Sequence, residues 1–138
     1  MNRTDYAFRT ELELPYREAV NQVKEGLQIE GFGVLTEVDV EKVMEEKLRV
    51  RFRPYTIIGA CNPPLSNRAF NTNLEAGLVL PCNVIIYEQN GKSVVEIADP
   101  TKAMGILADP RLDDVIAAAR TRLERVVERL ERVPINSS

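Results

Sequence analysis

Both cysteines of this chain are followed by the same residue, giving Cys61-Asn62 and Cys82-Asn83. A cysteine thiolate is a nucleophile, and an asparagine amide can cap a helix, tie down a loop or bind a polar ligand. Cys61-Asn62 runs into Pro63-Pro64, a cap-then-proline pattern that opens a helix. A cysteine just before a helix N-terminus sits where the free N–H groups favour a thiolate. The same groups can hold a carboxylate, phosphate or sulfate. The competing reading is that both cysteines are small packing residues, that Asn62 is only a cap and that Asn83 only ties down a loop.

Other chemistries fall away on composition. The chain has no histidine, which removes the commonest general base and metal ligand and excludes a Cys-His nucleophile within one chain. Two cysteines and an aspartate are too few for a tetrahedral zinc site. Their wide separation is not the Cys-x-x-Cys of a thioredoxin-like centre. No serine elbow, P-loop or dinucleotide fingerprint occurs. Neither metal nor cofactor is expected, and the chain reads as a binding module rather than an enzyme.

The elements that must position these residues follow from periodicity. Tyr6, Phe8 and Leu12 alternate with polar residues, predicting a strand over Thr4–Leu12. Pro15 opens an amphipathic helix through Tyr16, Ala19, Val20, Val23 and Leu27, stopped at Gly31. Phe32, Val34, Thr36 and Val38 alternate as a second strand. Asp39 caps a short helix with Val40, Val43, Met44 and Leu48 on one face. Arg49, Arg51 and Arg53 follow in an extended segment, read as a solvated edge rather than a phosphate grip. Tyr55–Cys61 is apolar or small on both faces, as in a central strand, and Gly59 marks a close backbone approach. After the short helix at Asn62, the Asn90-Gly91 step predicts a hairpin of Cys82–Glu88 with Ser93–Ala98. Asp109-Pro110 opens a last helix whose stripe runs from Leu112 to Val133, beyond which Asn136–Ser138 reads as a frayed tail.

The expected fold is α+β, a two-layer sandwich. A curved, mostly antiparallel five-stranded sheet is covered on one face by two long helices, in the order β-α-β-β-β-β-α with short helical insertions. If the last three strands are consecutive neighbours, Cys61, Cys82 and Asp99 gather at one edge of the sheet. Asn62, Asn83 and Lys102 lie nearby. That edge is the expected ligand-binding site.

At 138 residues, 44% hydrophobic and 28% charged, the chain fits a single domain over 1–138 with a core of its own. A net charge of −3 gives no field that gathers nucleic acid or membrane. No apolar run nears the ~20 residues of a membrane span, and the first residues lack the pattern of a signal peptide. A cytoplasmic location with reduced thiols is expected.

The runs Phe52-Arg53-Pro54-Tyr55, Ile58-Gly59-Ala60-Cys61-Asn62-Pro63, Leu78-Val79-Leu80-Pro81-Cys82-Asn83-Val84 and Tyr87-Glu88 resemble the bacterial and archaeal domain of unknown function 302 family. Gly31-Phe32-Gly33-Val34 and Asp99-Pro100 extend the resemblance over nearly the whole domain. It implies a fold like that of the TATA-binding protein and a homodimer, but no activity. The fold name does not imply DNA binding, and the Phe and Tyr residues fall mostly at expected core positions, leaving no evident stacking platform.

Three functions compete. The first is a homodimeric, non-catalytic module binding a small molecule or an anion at Cys61, Asn62, Cys82, Asn83 and Asp99. The second is thiol-based redox or sulfur-transfer chemistry with Cys61 and Cys82. The third is a purely structural role, with assembly through the last helix at Leu130.

Overall fold

Asn90 and Gly91 turn the chain with φ of 54° and 75°, the left-handed pair that a two-residue hairpin requires. Strands β5 (Cys82–Gln89) and β6 (Lys92–Ala98) consequently pair antiparallel, from Gln89 opposite Lys92 to Val84 opposite Ile97. The computed structural model describes residues 1–133, and the expected tail at Asn136–Ser138 lies outside them. Across the described residues β4 (Tyr55–Cys61) lies against β5, and β3 (Gly33–Asp39) forms the edge beyond it. On the other side β2 (Ala7–Leu12) pairs with β6, and the two-residue β1 (Asn2–Arg3) pairs with β2. The sheet is antiparallel and six-stranded, in the order β1-β2-β6-β5-β4-β3.

The helices are α1 (Tyr16–Ile29), α2 (Val40–Leu48), α3 (Pro63–Thr72), the short α4 (Pro100–Ala103) and α5 (Asp113–Glu131). The two longest, α1 and α5, cover one sheet face. Val23 and Leu27 meet Leu123, Val126 and Leu130 over a floor of Phe8, Ile58, Val84, Ile86 and Ile97. Each of these fully buried side chains contributes about 1.5–3 kcal/mol through its removal from water. A second cluster joins α3 to the start of α5 through Leu65, Ala69, Met104, Leu112, Val115 and Ala119. This is the expected α+β two-layer arrangement with one strand more.

The extra strand comes from a turn that the alternation concealed. The Thr4 hydroxyl accepts the Ala7 N–H at 2.9 Å and the Tyr6 N–H at 3.2 Å, the local bonding by which threonine stabilises a turn. The expected strand over Thr4–Leu12 is therefore broken at its start. Asn2–Arg3 folds back as β1, and Tyr6 is exposed instead of joining Phe8 in the core.

A bulge alters the second expected strand. Val34 stands opposite Ala60, but the register then slips, so that Thr36 opposes Gly59 and Val38 opposes Ile57. One extra residue, Leu35, moves every later side chain to the other face. Thr36 and Val38 thus face away from α1 and α5, and all seven residues of β3 are exposed. Helix α2 has its expected cap, with Asp39 Oδ1 accepting the Lys42 N–H at 3.0 Å, yet none of its residues is buried.

Candidate functional site

Antiparallel pairing brings the two cysteine segments together. Cys82 lies opposite Ala60, one residue from Cys61, and both thiols are free and half-buried. The Cys61 Sγ lies 2.9 Å from the Ser66 Oγ on the first turns of α3. Asn62 is buried and caps that helix, its Oδ1 accepting the Leu65 N–H at 3.2 Å. That bond occupies one of the N–H groups to which an anion would bind. Burial pushes the Cys82 thiol up to about 11, with a smaller contribution from Cys61. A thiol so placed stays protonated at neutral pH.

The space beside these groups is small. The crevice lined by Phe32, Asn62, Leu65, Ser66 and Cys82 has a volume of about 10 Å³, room for roughly one water. Gly59, next to this end of β4, is held on both sides. A β-carbon added there would stand 2.2 Å from Thr36 Oγ1 and 2.7 Å from Pro81 Cγ. This is the close approach expected at that glycine.

The other expected site residues go elsewhere. Asn83 pairs across from Gly59, is exposed, and points to the face opposite its neighbours Cys82 and Val84. Asp99 is buried, but its carboxylate caps α4 by accepting the Thr101 N–H at 2.9 Å and pairs with Arg120 Nε at 3.4 Å. Arg120 also holds Glu124, which holds Arg3, and both guanidiniums lie 5.4 Å from the Phe8 ring centre. Asp99 thus belongs to an ionic row that binds β1 and β2 to α5. Lys102 is exposed on α4. Cys61, Asn62 and Cys82 form one group, Asn83 lies on the other face, and Asp99 is engaged outside it.

A larger concavity opens at the other end of β4. Tyr16, Arg17 and Asn21 of α1 face Glu37 and Asp39 of β3, Glu41 of α2 and Thr56 of β4 across a cleft of about 430 Å³. The Tyr16 hydroxyl is hydrogen-bonded to the hydroxyl of buried Thr56. Burial pushes the Tyr16 phenol up, the Thr56 hydrogen bond opposes this, and the charges of Asp39, Glu41 and Glu37 add to the rise. Glu37 is paired with Lys24 at 2.7 Å and Asp39 caps α2. Among the described residues, no group of three His, Cys, Asp or Glu is arranged to hold a metal. No motif announces this cleft, because its walls come from three separate segments.

The aromatic residues also depart from expectation. Tyr55 and Tyr87 stack with ring centres 5.3 Å apart, and exposed Phe52 lies 6.1 Å from Tyr55. They form a short row at the β4–β5 end of the sheet instead of lying in the core. No helix among the described residues is long and apolar enough to cross a membrane.

A family model described as "Domain of unknown function DUF302" matches residues 8–130. The chain is also similar to a solved structure of an uncharacterized conserved DUF302 protein from Bacillus stearothermophilus. The two are 30% identical with a TM-score of 0.85, over 92% of this chain and 99% of that one. No curated protein matches the chain.

Proposed function

The chain belongs to the DUF302 family, and we propose that within this fold it works as a homodimeric, non-catalytic module binding a small molecule in the α1–β3–β4 cleft. The observation carrying this reading is the contrast in space. The cleft offers about 430 Å³, within the ~300–1,000 Å³ of ligand pockets, whereas the crevice beside the cysteines offers about 10 Å³. A hydroxyl pair, half-buried Tyr16 with buried Thr56, gives the cleft a fixed polar floor. Its wall carries Glu37, Asp39 and Glu41 against Arg17, so the preferred ligand bears amine and hydroxyl groups rather than a net negative charge. The homodimer rests on apolar side chains of β3 and α2 that the single chain leaves exposed.

Thermal unfolding with putrescine and glucosamine as probes tests the site. A ligand at 100 times its Kd stabilises the folded state by about 2.7 kcal/mol. We expect stabilisation of the wild type that is lost in Tyr16→Phe and Glu41→Gln and kept in Cys61→Ser. Stabilisation by neither amine, or stabilisation indifferent to both cleft variants, refutes the reading.

Thiol chemistry is the second reading, supported by the Ser66 hydroxyl 2.9 Å from Cys61 Sγ. Cys61 is then the attacking sulfur and Cys82, held protonated, the resolving one.

A further inference from the structure

We infer that the surface formed by β3, α2 and the run to Pro54 is an isologous docking surface for a second copy of this chain. This rests on the homodimer proposed above and names the face that makes it. Leu35, Val38, Val43, Leu48, Val50 and Phe52 are all exposed on this one continuous segment, Leu35 and Leu48 by 64% and 65%. Apolar exposure gathered on one segment in this way is the pattern of an interaction site. Strand β3 and helix α2 supply seven and nine residues, and the run through Pro54 extends the surface toward the ~20–30 residues each partner gives a standard interface.

The charges identify the occupant. The same segment carries Glu45 on α2, on the turn before Leu48, and then Arg49, Arg51 and Arg53. Among the described residues no ion pair engages any of these four side chains. A two-fold interface needs a patch complementary to itself. Acidic and basic groups flanking one apolar strip meet that need, since rotation lays the arginines of one copy over Glu45 of the other. The bulge at Leu35 interrupts the edge of β3 and opposes open-ended strand addition, so the contact closes as a pair through side chains. Helix α5 offers no competing surface, because Leu123, Val126, Val127 and Leu130 are all spent on the core.

Sedimentation equilibrium on the full chain, with circular dichroism as the check on folding, tests this. Leu48→Asp places an unpaired charge at the centre of the contact and raises the dimer Kd at least about 100-fold. R51E/R53E and E45K each dissociate alone, and an equimolar mixture of the two recovers a heterodimer. A wild-type dimer that persists in Leu48→Asp and in both charge variants overturns the surface and leaves the homodimer standing. A wild type that is monomeric at 100-micromolar order (about 10⁻⁴ M, weaker than specific association) overturns both. The amine probes read the cleft independently of either result.

Discussion

Cys82 is where the structure makes its sharpest quantitative demand. Its thiol is pushed from 9.0 to about 11, mainly by burial. At pH 8 a thiol with pKa near 9 is about 10% thiolate, and one near 11 about 0.1%, a difference of about 100-fold in the reactive form. Wild-type protein treated with iodoacetamide from pH 7 to 12 and read peptide by peptide in a mass spectrometer tests this. The Cys82 rate should rise tenfold per pH unit until a midpoint near 11. Steric shielding lowers the rate at every pH but does not move the midpoint, so the midpoint isolates the environment. Stability carries the same signature. The folded state holds this proton more tightly than the unfolded one, so the contribution is fully present below pH 9 and is lost as pH rises towards 11. Two units correspond to about 3 kcal/mol. The difference in unfolding free energy between wild type and Cys82→Ala should shrink by roughly that amount over the interval. A Cys82 midpoint near 9 would refute the burial argument and restore Cys82 as an attacking thiolate.

Two further outcomes follow from the geometry. Gly59→Ala drives a β-carbon into Thr36 Oγ1 and Pro81 Cγ in a strand paired on both sides. It should cost about 1–3 kcal/mol in urea unfolding, and Thr36→Ala should return part of this in the double variant. Equal stability of Gly59→Ala and wild type would show that the strands are not locked there. The Arg111 guanidinium holds the Asp109 carboxyl down to about 2, aided by the Arg111 and Asn73 N–H groups against a desolvation cost. Its contribution to stability is therefore present above the ordinary carboxyl range and is lost as pH falls through about 2. An NMR titration of the Asp109 carboxyl should give that low midpoint and an upward shift in Arg111→Ala. An unmoved midpoint removes the arginine as its cause.

What could be read from residue order, and what could not, divides along one physical line. Asn90-Gly91 set a local turn, the turn set the antiparallel pairing of β5 and β6, and pairing set Cys82 beside Ala60. Each step is local or follows from strand geometry, so the meeting of the Cys61 and Cys82 segments is legible in the sequence. Asp99 followed the same logic as far as the end of β6. Its carboxylate then turned to Arg120, 21 residues further on, a choice made by tertiary packing on the charged side of α5. Leu35 shows the opposite failure. Period-two alternation through Phe32, Val34, Thr36 and Val38 assumes an unbroken strand, and a single bulged residue reverses the face of Thr36 and Val38. That reversal leaves an apolar residue, Val38, facing away from α1 and α5. It also leaves β3 and α2 without the burial their patterns promised, although the cap at Asp39 formed as read. The cleft lay furthest from view, since Tyr16 and Thr56 are 40 residues apart and nothing in either segment points to the other. The local rules located the cysteine edge that packs closed. The departures from those rules, the bulge and the uncovered helix, produced the surfaces left to bind something.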